Sequence, residues 1–305
     1  MKKIFLILLS LWLSCTAFNQ ANKFYDEGNY DAAIKECQTI LASDSLNADA
    51  YLLLGKCYQA QGKLKPAHKA LTAAHNINQA DKFKQALIHI KLEVGDSLAK
   101  NNHDVLALKE YQSIFALDST HVVGRLKLAD LYYDNGYLEQ AQIHYAKLAP
   151  SDETAIDRIE QIKEKTALAE QAYQKGENAF AKKRYKNARK HLEQALKIKA
   201  DYTDAKYYLA LSKGLLFYQK GRKSDLWDAI EEFGKAMVLK PNSAEPHFYM
   251  AQAYEKKDRR EFDNAIEQYK IVLEKEPQSQ FTNSAREKIK ELTELKDRLK
   301  KFWGR

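Results

Sequence analysis

Cysteine, proline and glycine are scarce in this chain, at 3, 5 and 11 of 305 residues. The cysteines form no Cys-x2-Cys pair. The eight histidines show neither a His-x3-His nor a His-Glu-x2-His spacing, so no metal site is expected. No Pro/Gly/Ser-rich stretch marks a linker, so the chain reads as one continuous array. No strand pattern is evident to host a phosphate loop, and neither Gly-x4-Gly-Lys-[Ser/Thr] nor Gly-x-Gly-x2-Gly stands at a strand–helix junction. Without a catalytic constellation the expectation is a non-enzymatic protein with no catalytic residues and no cofactor.

A membrane-spanning run is missing too. Ile4–Leu13 is apolar apart from Ser10, but falls short of the roughly 20 residues a bilayer needs. Behind Met1-Lys2-Lys3 it reads as a secretory signal, residues 1–17, and implies an exported protein, periplasmic or membrane-anchored. Two cleavage readings stand beside an uncleaved anchor. Cys15-Thr16-Ala17 offers small residues for a mature start at Phe18, whereas Trp12-Leu13-Ser14-Cys15 resembles a lipoprotein signal with Cys15 as the acylated tether.

What the chain does hold is a recurring spacing. Tyr51, Leu54-Gly55, Tyr58, Gly62, Ala67, Leu71 and Ala74 describe two short helices and a turn within residues 48–81. Residues 14–47 keep the same phase through Ala21, Phe24, Gly28-Asn29-Tyr30, Ala33, Cys37 and Ile40. After six extra residues it returns in 88–121 (Val94-Gly95, Ala107, Tyr111) and 122–155 (Leu128-Ala129, Gly136, Ala141, Tyr145). Residues 156–168 predict one long helix running into the fifth unit, or a short added helix. The fifth unit, 169–202, has Gly176, Ala188 and Leu192. A sixth begins near 203, with Ala210 in the glycine place and Ala229 a further 19 residues on, seven more than the 12 of the spacing. The seventh holds Tyr254, Ala265 and Tyr269, with two residues added near Asp258–Glu261. Ala285, Ile289, Leu292, Leu295, Leu299 and Phe302 stripe a final amphipathic helix. Pro66 and Pro246 fall in predicted first turns, and Pro150, Pro241 and Pro277 in loops.

This pattern resembles the tetratricopeptide repeat, a 34-residue helix–turn–helix unit. The resemblance implies an all-α fold: a right-handed α–α superhelical solenoid of about seven helix pairs with a C-terminal capping helix. It divides the chain into a four-repeat array at 18–155, an expanded array of about three repeats at 156–279, and a cap at 280–305. Gly55 and Ala67 are expected where paired helices approach closest. Cys37 and Cys57 fall on neighbouring helices at core positions and read as buried thiols rather than a bridge.

The resemblance also implies a concave groove lined by the first helix of each repeat. Its positions fall on Leu52, Leu92, Leu126, Tyr173, Tyr207 and Phe248, on Lys56, Asp96, Asp130 and Glu177, and on Tyr133 and Phe180. That ribbon suits an extended, apolar and partly basic polypeptide. The Lys and Asn with which some family members grip acidic chaperone tails are absent from these places. Charge is uneven, with 16 Lys/Arg against 17 Asp/Glu in residues 1–155 but 33 against 24 in 156–305. The densest basic run is Lys182-Lys183-Arg184, Lys186 and Arg189-Lys190. It reads as a solvated rim, or as a patch for anionic lipid, cell-wall polymer or an acidic partner; nucleic acid is not expected. The function expected is a protein-binding scaffold of the cell envelope, or alternatively an accessory that binds cell-wall or anionic polysaccharide.

Overall fold

The computed structural model describes residues 16–149, 152–257 and 262–303. The signal segment with Cys15, Pro150 and the turn at Asp258–Glu261 lie outside the described residues. All regular structure among the described residues is helical. The chain divides into two compact units, Met1–Tyr132 with Ile143–Asp152, and Tyr133–Gln142 with Glu153–Arg305.

In the first unit, α1 (16–26) is followed by α2 (Tyr30–Ser43), α3 (Ala48–Ala60), α4 (Leu64–Ile77), α5 (Asp81–Lys100) and α6 (Asp104–Ile114). Then come most of α7 (Val122–Asp134) and the end of α8 (Leu138–Ala146). From α2 to α6 each helix packs on the next. Local chemistry starts them. The Asn29 and Asn47 side chains accept from the N–H of Ala32 and Ala50, at 3.3 and 2.9 Å, satisfying donors that the first turn leaves free. The six extra residues before position 88 lengthen α5 at its N-terminus, where Phe83 and Leu87 are buried. Cys37 and Cys57 are free, buried thiols. Burial pushes them up to about 12 and about 11.

The second unit contains α9 (Glu153–Ala181), α10 (Tyr185–Ile198), α11 (Thr203–Lys220), α12 (Lys223–Leu239), α13 (Glu245–Lys257), α14 (Asp263–Lys275) and α15 (Thr282–Trp303). Again each packs on its successor, and the first helices of pairs also meet, α9 on α11 and α11 on α13. Of the two readings for 156–168, one long helix is the outcome, since α9 runs unbroken from Glu153. Residues 133–142 join this unit through backbone contacts. The Ala200 N–H donates to the Gly136 carbonyl at 2.8 Å, and the Glu139 N–H to Asp201 at 3.1 Å.

One packing device repeats. A Cβ on Gly55 would stand 2.5 Å from Leu71, on Gly95 2.4 Å from Tyr111, and on Gly176 2.7 Å from Leu192. Each pair is 16 residues apart, so a missing side chain on the first helix seats a large one from the second. The tight neighbour of Gly55 is thus Leu71, one turn beyond Ala67, which is itself fully buried. The same device corrects the sixth unit. Gly214, not Ala210, holds the glycine place, with its absent Cβ 2.4 Å from the Phe233 ring. Gly214 and Phe233 are 19 residues apart rather than 16, so the insertion is three residues, absorbed as a longer α11 and its turn at left-handed Gly221.

The cap reading is corrected at its tip. Ala285 and Leu292 are buried against α14, but Phe302 is exposed. At 1.5 Å per residue the 22-residue α15 is about 33 Å long and the 13-residue α14 about 20 Å, so the last turns overhang the helix they cover.

Candidate functional site: an aromatic and acidic cavity pair

The corrected frame moves the inward-facing places of the sixth unit from Tyr207 to Leu211, Leu215 and Tyr218. Phe180 of α9, Leu215 and Tyr218 of α11, and Phe248 and Gln252 of α13 then all occupy inward-facing places, though not the same one, on three successive first helices. The structure gathers these five around one cavity of about 580 Å³, with Phe281 from the turn before α15. Ring contacts fix its walls. Phe248 stacks on Phe281 at 4.7 Å between centroids, and Tyr249 meets Phe281 edge-on at 5.8 Å.

A second cavity of about 770 Å³ shares Glu245, Gln280 and Phe281 with the first. Tyr207, Tyr208, Lys240 and Glu276 also line it. Glu245 stands in the first turn of α13, where its charge suits the positive helix end. Its Oε2 accepts from the Tyr207 hydroxyl at 3.3 Å, and Tyr207 also shares a 2.9 Å hydrogen bond with Ser243. Burial raises the Glu245 carboxyl above its ordinary range, against the lowering effect of hydrogen bonds from Tyr207 and Tyr249. Burial, then Glu245, pushes the Tyr208 phenol up to about 12. The nearby cation is already engaged: Lys240 Nζ lies 2.6 Å from Asp204 and 4.6 Å from the Tyr207 ring centroid.

The remaining groove candidates are dispersed. Leu52, Leu92 and Leu126 are half-buried and Lys56 is exposed. Asp96 accepts from the Tyr111 hydroxyl at 2.6 Å and pairs with Lys127 at 3.0 Å, while Asp130 accepts from Tyr145 at 2.5 Å. Tyr133 is buried, donates to Gln161 at 3.0 Å, and has Lys165 3.7 Å above its ring. Tyr173 is buried and donates to Glu177 at 2.7 Å. Phe180, Tyr207 and Phe248 are mostly packed inward, so little of each ring is free at its cavity.

The basic run divides. Lys182, Lys183 and Arg184 are exposed on the α9–α10 turn, and Lys183 lines the aromatic cavity. Lys186 and Arg189 instead join Lys213, Lys220, Leu216 and Phe217 around a separate groove of about 730 Å³, and Lys190 is exposed beside them. Sequence reasoning missed Glu245, Glu276, Tyr218 and Phe281. The frame shift hid Tyr218, and the other three come from segments that no repeat position marks.

Among the described residues no cluster of His, Cys, Asp and Glu suits a metal ion, and no helix is long and apolar enough to cross a membrane.

The family model of the tetratricopeptide repeat matches residues 24–88. That segment is built of tetratricopeptide repeats. It spans α2, α3 and α4, where the Gly55–Leu71 contact is found. No curated protein matches the chain. Solved structures of repeat proteins do. The C-terminal part of a TPR repeat-containing protein from Cytophaga hutchinsonii is 19% identical, over 88% of this chain and 98% of that one, with a TM-score of 0.34. A tetratricopeptide repeat protein from Parabacteroides merdae is 14% identical over 91% and 97%, with a TM-score of 0.39. The TPR2AB domain of yeast Sti1, solved as a complex with pHSP90, is 19% identical over 92% and 96%, with a TM-score of 0.35.

Proposed function

We propose that this protein is a non-enzymatic scaffold that holds an extended partner polypeptide on the first helices of its second unit. The observation that carries this reading is the convergence of Phe180, Leu215, Tyr218, Phe248 and Gln252 on one cavity. Repeated positions on α9, α11 and α13 offer apolar walls with a polar group at the rim, the composition that seats peptide side chains. Selection of a random 12-residue display library on the full chain tests it. Linear peptides should be recovered whose binding weakens at least tenfold on Tyr218→Ala. Their binding should persist on Trp227→Ala, a residue exposed elsewhere on the unit. Recovery of no linear peptide overturns the reading.

We place this scaffold in the cell envelope, exported by residues 1–17 and either released or tethered through Cys15. The support is the charged start and short apolar run. Metabolic labelling with a palmitate analogue, lost on Cys15→Ser, is the outcome expected of the tether; labelling of neither form removes it.

A second reading, binding of an anionic cell-wall polysaccharide, is favoured by the groove of Lys186, Arg189, Lys213 and Lys220, whose one lining carboxylate, Glu232, is already held by Lys235 at 2.6 Å. Retention on purified cell wall at low salt, lost at high salt and in Lys186→Glu with Arg189→Glu, would establish it.

A further inference from the structure

The charge of the larger cavity is opposite to that of its surroundings, whereas Lys183 balances Glu245 in the smaller one. Residues 156–305 carry 33 Lys/Arg against 24 Asp/Glu, yet Glu245 and Glu276 both face the larger cavity. Its one lining cation, Lys240, is turned to Asp204. The donors on Glu245 are the neutral phenols of Tyr207 and Tyr249, and the cation that acts on it from a distance, Lys240, has its ion pair with Asp204. A carboxylate has about four acceptor sites, so these bonds do not exhaust it. Glu276 caps the C-terminus of α14, where the helix end is itself negative and a carboxylate finds no support. Tyr208 and Phe281 supply aromatic surface beside both acids.

We propose that this acidic, aromatic cavity selects one basic side chain of the bound polypeptide. The cation would lie between Glu245 and Glu276 beside Tyr208 and Phe281, and a neighbouring apolar side chain would enter the Phe180–Leu215–Phe248 cavity. An ammonium or guanidinium gains from both components, since carboxylates out of bulk water and aromatic faces each attract cations more strongly than in solution. The groups facing Glu245 are Tyr185 from α10, Tyr207 and Tyr208 from α11, Lys240 and Ser243 from the α12–α13 connection, Tyr249 from its own helix, and Glu276. Apart from Lys240, and Lys183 which lines the smaller cavity with Glu245, the surrounding groups are neutral or acidic. The shared residues Glu245, Gln280 and Phe281 put the two subsites within reach of one peptide.

This inference rests on the peptide-binding reading, and one experiment separates their failures. Peptides selected from the random 12-residue library on the full chain should share Lys or Arg at one fixed position beside an apolar residue. A synthetic peptide with that lysine replaced by norleucine should bind at least tenfold more weakly to the wild type. On Glu245→Gln with Glu276→Gln the two peptides should bind within about twofold of each other. Recovery of no peptide overturns both readings. Peptides without a fixed basic position, or wild type that binds the norleucine form equally, overturn this inference alone. The wild-type comparison stands even where the double variant folds poorly.

Discussion

Single residues carry the strain and the charge that the rest of the fold accommodates. The α9–α10 turn places Lys183 at φ +57°, where Gly62 and Gly136 serve in other repeats at +71° and +74°. A side chain there costs about 1–2 kcal/mol, partly offset because glycine loosens the unfolded chain. Lys183→Gly should therefore stabilise the protein by about 1 kcal/mol, raising Tm by roughly 2–4 °C in a thermal melt. Glu245 gives a pH signature. Its folded pKa lies above the unfolded value, so the folded state binds the proton more tightly and ionisation costs stability. Glu245→Gln should thus melt higher than wild type at pH 7. The gap should close as pH falls through the folded pKa towards the unfolded one, and a gap that widens towards acid pH would contradict the assignment. Most single-residue features were legible. Gly55 announced a close approach, which Gly95 and Gly176 at the same place of the spacing repeat, and Cys37 and Cys57 announced buried thiols. Glu245 was not, because its environment comes from Tyr207, Ser243 and Glu276, which are adjacent only after folding.

At the scale of elements, paired glycines separate packing from propensity. A Cβ on Gly214 would overlap the Phe233 ring, whereas a Cβ on Gly234 of α12 would meet only Met250 at 4.0 Å. Gly214→Ala should cost about 1–3 kcal/mol through overpacking, while Gly234→Ala should gain about 0.5–1 kcal/mol by stiffening a helix interior. Chemical denaturation of both variants checks the opposite signs. The helices themselves were readable from periodicity and caps, including the continuous α9. The frame of the sixth unit was not, because two small residues, Ala210 and Gly214, stand one turn apart on α11 and spacing alone favoured the first. Which of them lies under the bulky residue of α12 is a tertiary fact, fixed by Phe233.

Within each unit, from α2 to α6 and from α9 to α15, repeat architecture makes each helix the cover of the one before it. Removal of α15 would leave Tyr269 and Val272 of α14 facing water, so a chain ended after Glu276 should melt several degrees lower and bind a hydrophobic dye at room temperature. The sequence showed that a helix must close the array, through the stripe from Ala285 to Leu299. It did not show that Phe302 lies beyond the covered surface, since a stripe records amphipathicity and not the length of the partner. Charge behaved likewise. The basic excess of the second half was plain in composition, while the acidic cavity within that half needed Glu245 and Glu276, 31 residues apart, to be brought together.

The three-residue insertion between Gly214 and Phe233 leaves the contact between their helices in the form seen elsewhere. Added chain is tolerated at that connection without disturbing either helix face, and the junction of Gly221 and Arg222 becomes a natural site for a genetically encoded tag. An epitope or fluorophore-binding sequence placed there would report on the protein in living cells from a position that lines neither cavity.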